Sequence, residues 1–299
     1  MTEIVVKDLF MEYGGLPILE RVNLTLSDHE FCVVLGPSGA GKTTFLRLLL
    51  SQETPTRGSI SIDGRPIAPE PDPTRGVVFQ RYSVFPHKTV LSNVMVGPEL
   101  SRSRFLGRLF GSARRELEER ARALLDQVGL ADAADKYPVQ LSGGMQQRLA
   151  IAQALIMEPK VLLLDEPFGA LDQSTKKSMH RLILDLWRTN GMIIVMVTHD
   201  IQEAFTLGTR VLMIDKRRRD PMAPEAYGST ITQHLELDPA RKPDLDLGAG
   251  DEHRSMASIF ESWADRMAGA VSADHGEAQP LPAADPDRTP DPVLRRAGE

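Results

Sequence analysis

Cysteine is nearly absent from this sequence of 299 residues: the single Cys32 excludes an internal disulfide, a CxxC redox pair and any multi-thiolate metal site. Long apolar runs are missing as well. Val161 to Leu164 and Met192 to Val197 fall far short of the roughly 18 apolar residues that a spanning helix requires. The opening segment MTEIVVKDLF has no positive stretch followed by an apolar one, so no secretory signal is read there and a soluble, cytosolic protein is expected. There is no basic surplus either. The 35 Lys and Arg stand against 41 Asp and Glu, a net charge of −6, which argues against a dedicated nucleic-acid binder. Internal repeats and sustained heptads are also lacking. What remains is ordinary globular composition, 41% hydrophobic and 25% charged, in a length that suits one large domain or two moderate ones.

Composition divides the chain near residue 216, because 9 of the 21 prolines fall within residues 221 to 299. Ahead of that point, short apolar runs recur at Phe31 to Leu35, Gly76 to Phe79, Val161 to Leu164, Ile193 to Val197 and Val211 to Ile214. None alternates in and out, as expected of strands buried on both faces of a largely parallel sheet. Helical stretches lie between them. In Arg114 to Leu130 an apolar stripe of Leu117, Ala121, Leu124 and Val128 is flanked by the i,i+4 pairs Glu116/Arg120 and Glu118/Arg122, and Gly129 marks the end.

The segment Gly36-Pro37-Ser38-Gly39-Ala40-Gly41-Lys42-Thr43 follows the first of these runs and precedes the apolar stretch Phe45 to Leu50. It fits the GxxxxGK[ST] pattern between strand and helix. Its glycines permit positive φ and close backbone approach, so successive N–H groups can wrap an anion at the positive end of the following helix. Lys42 is expected to reach the β and γ phosphates of a nucleotide, and the Thr43 hydroxyl to bind Mg²⁺. The run Val161 to Leu164 ends in Asp165-Glu166-Pro167. Two carboxylates at the end of a buried strand call for a partner or a metal. Asp165 reads as the outer-sphere carboxylate for Mg²⁺ and Glu166 as the base that orients and polarises an attacking water.

Asp165 follows Lys42 by 123 residues, more than a minimal nucleotide-binding core needs, so an inserted domain is expected. Within that interval lies Leu141-Ser142-Gly143-Gly144-Met145-Gln146-Gln147-Arg148. Ser142 is a good N-cap and Gly143 and Gly144 bare the first N–H groups of a helix whose buried face is Met145, Leu149, Ala152 and Ile156. This is a second phosphate-binding helix terminus. One nucleotide does not readily engage two such termini within one chain, so this one is expected to bind the γ-phosphate held by a partner subunit.

In these motifs, their order and their spacing, the sequence resembles the ATP-binding subunit of ABC transporters through nearly all of residues 1 to 215. The resemblance implies an α/β P-loop NTPase fold: a mostly parallel core sheet, an N-terminal antiparallel β subdomain, a helical signature subdomain at about 81–145, and a C-terminal extension. It also implies that Tyr13 stacks on adenine, that Gly36 to Thr44 cradle ATP with Mg²⁺, and that Gln80 is the Q-loop residue that contacts Mg²⁺ or water and links the site to the membrane subunits. Ala170-Leu171-Asp172 matches the D-loop, which implies that Asp172 lies at the nucleotide, and His199 in Thr198-His199-Asp200 matches the switch histidine. Met145 departs from the Gln that many members carry, and is similar to the importer branch for nitrate, sulfonates and taurine, as are Tyr82 to Pro86 and Met192 to Thr198. Implied partners are a second copy of the chain, integral membrane permease subunits and a solute-binding protein, with the chain peripheral on the inner face of the cell membrane and no nucleic acid bound. A soluble ABC ATPase of DNA repair or translation, and an assembly or regulatory ATPase, are the alternatives. The former typically carry two ATPase domains or a long coiled-coil insertion.

Three features lie outside those motifs. Cys32 is read as a small buried hydrophobe. Lys216-Arg217-Arg218-Arg219 is read as a solvated strand edge softened by Asp215 and Asp220. Beyond it, Thr230 to Leu237 is a possible strand with imperfect alternation within an extension over 216–254. Met256, Ile259, Phe260, Trp263, Met267 and Val271 make residues 255–271 an amphipathic helix, and 272–299 read as disordered. Asp215 to Thr232 is similar to transporter ATPases associated with urea-carboxylase-like enzymes, which implies a small nitrogen compound such as urea or guanidine as cargo.

Overall fold

The computed structural model describes residues 2–79, 84–103, 107–218, 220–223 and 225–237. The N-terminal part runs β1 (Glu3–Tyr13), β2 (Leu16–Ser27), β3 (Phe31–Leu35), α1 (Lys42–Leu49), β4 (Arg57–Ile62), β5 (Arg65–Pro66) and β6 (Arg75–Val78). Three helices follow, α2 (Val90–Arg102), α3 (Gly111–Gln127) and α4 (Gly143–Leu155). The chain then returns through β7 (Val161–Asp165), α5 (Gln173–Asn190), β8 (Ile193–Val197), α6 (Ile201–Leu207), β9 (Arg210–Lys216) and β10 (Ser229–Glu236). Calls that fall on Gln80, on 238–254, on the amphipathic stretch 255–271 and on 272–299 lie outside the described residues.

All ten strands join one sheet in the order β5-β4-β1-β2-β10-β9-β3-β8-β7-β6. From β9 to β6 the pairing is parallel. Every residue of β3 and β8 is buried. Phe31, Val33, Leu35, Ile194 and Met196 face one core, while Cys32, Val34, Ile193 and Val195 face a second one on the opposite side. Burial on both faces is why these runs carry no polar alternation. Cys32 packs as a hydrophobe, and desolvation pushes its thiol pKa up.

The other half of the sheet is antiparallel. β1 and β2 form a hairpin around Gly14-Gly15. The buried positions of β1 are Ile4 and Val6, then Leu9 and Met11, so the phase slips by one residue between them. That slip is a bulge at which Asp8 takes φ 42° and its N–H donates to Asn23 Oδ1 at 2.9 Å, replacing the ladder bond lost there. The helices between β6 and β7 pack beside the parallel strands. α3 starts three residues earlier and ends three residues earlier than its periodicity suggests, and Gly129 at φ 70° follows it. Leu117, Ala121 and Leu125 are its buried residues, continued by Val128 at its C-terminal cap, with Leu124 only partly covered. The Glu118–Arg122 pair forms at 2.8 Å. Arg120 instead reaches across to Glu158 and the Ile156 carbonyl, at the C-terminal end of α4 where a cation is favoured.

The shift in composition near 216 does not coincide with the end of the sheet. β10 lies between β2 and β9, antiparallel to β9 along its whole length and parallel to β2 at Ser229↔Leu19. A register shift between Ile231 and Gln233 accounts for its broken alternation. Arg218, within the basic run, sits 4.3 Å over the Tyr227 ring and 3.6 Å from Glu20. No helix among the described residues is long and apolar enough to cross a membrane.

Removal of β10 uncovers one edge each of β2 and β9. A chain ending at residue 216 is therefore expected to melt several degrees below one ending at residue 237 and to self-associate. A loss of about 1 kcal/mol lowers the midpoint by roughly 2–4 °C in a chain of this size. Thermal unfolding and size-exclusion chromatography of the two truncations check this.

Candidate functional site

Three parallel strands deliver the candidate residues to one edge of the sheet. β3 runs into the loop Gly36 to Gly41, β7 into Asp165-Glu166 and β8 into Thr198-His199. The pairs Val34↔Val197 and Asp165↔Val197 set the three strand ends level. Beyond the strands the ladder is extended by Thr198 N donating to Val34 O at 3.2 Å and Glu166 N to Val197 O at 2.9 Å.

Crowding explains Gly36. A Cβ at that position would come within 2.3 Å of Ile214 O in β9. Gly41, at φ 84°, is the N-cap of α1 and offers no side-chain acceptor, so the opening N–H groups of that helix remain available to an anion. Ile18 and Leu19 of β2 lie 3.0 and 2.9 Å from where a Gly41 side chain would begin, which seats the hairpin carrying Tyr13 against the loop. Tyr13 itself is 39% exposed at the end of β1, open to a planar ligand. Along the loop, Ser38 and Gly39 are exposed, Pro37 is half-buried and Ala40 buried; beyond Lys42, Thr43 is exposed and Thr44 half-buried.

Lys42 is buried and folds back over its own loop, donating to Gly36 O at 2.8 Å and Pro37 O at 2.9 Å. Burial lowers its proton affinity, against the opposing charges of Glu166 and Asp165. Thr43 Oγ1 donates to Asp165 Oδ1 at 3.4 Å. Hydroxyl and carboxylate oxygens side by side are the hard donors that Mg²⁺ accepts when it also binds phosphate and water. Glu166 occupies the left-handed region at φ 45°, a conformation that costs a side-chain-bearing residue about 1–2 kcal/mol. Its Oε1 lies 3.3 Å from His199 Nδ1. The residues expected at positions 36–43, 165, 166 and 199 thus meet at one edge.

Other expected residues are placed elsewhere. Ser142 caps α4, its Oγ accepting from Met145 N at a long 3.4 Å, and Ser142 and Gly143 are exposed. Gly144 sits against α5, where an added Cβ would come within 2.6 Å of Thr175 Cγ2. No hydrogen bond or ion pair among the described residues joins this terminus to the loop at 36–43. Asp172 caps α5: Oδ2 accepts from Ser174 Oγ at 2.6 Å and from the N–H groups of Ser174 and Thr175 at 3.1 Å, which hold the carboxyl well below the usual range. Gln80 is outside the described residues, but Phe79 and Phe85 on either side of its segment line a groove of about 300 Å³ with Asn93, Gly97, Gln153 and Met157.

Sequence reading missed Lys176, Asp200 and Glu203, which surround the base of His199. A signal was present in Asp200-x-x-Glu203, a capping-box spacing directly after the histidine.

Burial, followed by the charge of Glu166, raises the proton affinity of Asp165, so its ionised form destabilises the fold. The folded chain binds this proton more tightly than the unfolded chain. The penalty is therefore complete at neutral pH and fades as pH falls through the carboxylate range. Asp165→Asn is expected to raise the thermal midpoint of the nucleotide-free chain at neutral pH, with the gain shrinking in mild acid. Calorimetry at both pH values checks the sign.

Comparison with known proteins agrees with this arrangement. The ABC transporter family model matches residues 19–169, a span that includes the phosphate loop, the Ser142 terminus and Asp165-Glu166. The nitrate import ATP-binding protein NrtD of Synechocystis sp. (strain ATCC 27184 / PCC 6803 / Kazusa) is 43% identical over 204 residues, 68% of this chain and 73% of its own. The taurine import ATP-binding protein TauB of Yersinia pestis bv. Antiqua (strain Antiqua) is 43% identical over 209 residues, 70% of this chain and 78% of its own. A bacterial ABC transporter cassette solved as a dimer superposes with a TM-score of 0.63 at 32% identity, over 79% of this chain and 99% of that one. The chain belongs to the ABC transporter family, as one of its ATP-binding, ATP-hydrolysing subunits.

Proposed function

We propose that two copies of this chain bind and hydrolyse ATP to power an importer of a small solute, from the inner face of the membrane that holds its permease. The observation that carries the reading is the meeting of Glu166 and His199, 3.3 Å apart, at the edge where the phosphate loop begins. In this reading the triphosphate lies along Gly36 to Thr44, with adenine on Tyr13. Lys42 already points its ammonium over the loop and exchanges the carbonyls of Gly36 and Pro37 for phosphate oxygens. Thr43 and Asp165, with Gln80 as the resemblance implies, would hold Mg²⁺, which would neutralise charge on the phosphates. Glu166 accepts the proton of the attacking water, and His199 holds that water and the γ-phosphate in line.

The second copy completes the site. Ser142, Gly143 and Gly144 at the exposed start of α4 present N–H groups and a helix dipole to the γ-phosphate bound by the partner, and Asp172 lies at the same junction. ATP then stabilises the closed dimer by binding both halves, and hydrolysis releases it. The dimeric cassette among the similar structures supports this assembly.

Coupling to transport runs through the groove lined by Phe79 and Phe85, whose apolar walls and half-exposed Phe85 suit a helix of the permease. Asn93 fixes that wall, accepting from Phe85 N at 2.7 Å and donating to the carbonyls of Phe85 and Lys88 at 3.0 Å. The names of the relatives favour import over a soluble role in DNA repair, translation or assembly. The cargo is a small solute of the nitrate, sulfonate or taurine kind, or a small nitrogen compound such as urea or guanidine, delivered to the permease by a solute-binding protein.

Glu166→Gln is expected to retain ATP binding, to lose at least about 100-fold in hydrolysis and to accumulate as an ATP-bound dimer. Equilibrium nucleotide binding, phosphate release and light scattering read the three in turn. Ser142→Arg is expected to bind nucleotide as a monomer and to fail to dimerise; if it dimerises on ATP, the shared site is wrong. The importer reading is tested by tagging Glu166→Gln in its host and solubilising membranes with ATP. A multi-spanning permease should co-purify, and recovery of only soluble or nucleic-acid partners would overturn it.

A further inference from the structure

His199 is anchored by little of its own. Its side chain is 65% exposed, and its contact at the site is the 3.3 Å approach to Glu166. What holds it in place must act on the residues beside it. Thr198 and Glu203 are both almost fully buried, 2% and 3% exposed, and the Thr198 hydroxyl donates to Glu203 Oε2 at 2.7 Å. The same hydroxyl accepts from Asp200 N at 3.0 Å, so one oxygen clamps the chain on either side of the histidine. Asp200 Oδ1 accepts from the N–H groups of Gln202 and Glu203 at 2.9 and 3.2 Å, fixing the start of α6.

A carboxylate buried as deeply as Glu203 needs a cation. Lys176 of α5 supplies it, with Nζ 3.0 Å from Glu203 Oε1 and 3.4 Å from Asp200 Oδ2. Burial opposes the charge on Lys176, but its bonds to Glu203 and Asp200 prevail and hold its proton affinity up. Such a pair does little for stability, because desolvating both ions offsets their attraction. Its effect is on orientation. Lys176 stands one turn into α5, where its N–H donates to Asp172 O at 2.8 Å, and Thr175 beside it touches Gly144 at the start of α4. The turn that abuts the Ser142 helix terminus is therefore also the turn that anchors the His199 loop.

We propose that Lys176 and Glu203 are positioning residues for hydrolysis, acting through Thr198 and Asp200 to hold His199 against Glu166; this rests on the role given to His199 above. Neither side chain touches the reacting atoms. A displacement of His199 by about 1 Å is enough to cost up to roughly 100-fold in rate.

The test is steady-state ATP hydrolysis and equilibrium nucleotide binding by the full chain, in parent and His199→Ala backgrounds. Glu203→Gln and Lys176→Met are each expected to lower kcat about 10- to 100-fold, with KM and nucleotide affinity within about twofold. Lys176→Arg, which keeps the cation, is expected to recover most of the rate lost in Lys176→Met. In the His199→Ala background, Glu203→Gln should lower kcat no further, since its effect passes through the missing ring. An equal further loss in the double variant would assign Glu203 a merely structural part and overturn the proposal, as would an unchanged kcat in Glu203→Gln alone. Full activity in His199→Ala would overturn the role of the histidine itself, and this inference with it. Should Glu203→Gln not fold, Thr198→Val removes the same hydrogen bond with little change in volume and is read by the same two-background comparison.

Discussion

Everything at the candidate site depends on the parallel register of β3, β8 and β7. Because Val197 pairs with both Val34 and Asp165, the chain leaves three neighbouring strands at one height. The bonds from Thr198 N to Val34 O and from Glu166 N to Val197 O carry that alignment past the strands into the loops. A phosphate cradle, a carboxylate pair and a histidine are thereby brought together without any contact between them in sequence. This is the general advantage of a parallel sheet, whose carboxyl ends share an edge. A slip of one residue in any of these pairings would turn every side chain of the slipped strand into the opposite core, so register is protected by both hydrophobic faces at once.

The same edge is where the fold tolerates unfavourable chemistry. A buried ammonium, a carboxylate whose ionised form is disfavoured and a left-handed Glu166 sit within a few residues of one another in space. The surrounding strands, buried at nearly every position, supply the stability against which such local strain persists. Elsewhere helix starts are capped in the ordinary way: Thr89, Ser142, Asp172 and Asp200 each cap a helix with a side-chain oxygen. The start of α1 is an exception, capped by glycine, and it is the one that belongs to the phosphate loop.

Legibility in the sequence followed locality. The phosphate loop, Asp165-Glu166 and the Ser142 terminus each lie within a few consecutive residues and announce their chemistry by spacing. The strands of the parallel half were equally readable, since burial on both faces leaves an unbroken apolar run. Features that depend on distant partners were not. Glu203 reads as one more surface residue of an amphipathic helix until Lys176, 27 positions earlier, is brought beside it. Arg120 had an apparent partner four residues away in Glu116, yet it turns to Glu158 across the helix interface. The bulge at Asp8 hid the alternation of β1 by shifting its phase midway. Asp172, expected at the nucleotide, spends its carboxylate on its own helix within one copy of the chain.

Among the described residues β10 is the last strand made, and it is the fifth in the sheet. Its pairing of Ser229 with Leu19 joins residues 210 positions apart. At a synthesis rate of about 5–20 residues per second, the β1–β2 hairpin emerges from the ribosome roughly 10–40 s before the strand that will lie beside it. Through that interval the nascent chain carries an unmatched edge that pairs readily with any other extended segment, including its twin on a neighbouring ribosome. For this subunit the vulnerable period of synthesis is therefore the interval between its first hairpin and β10, when a chaperone that covers a bare strand edge has most to protect.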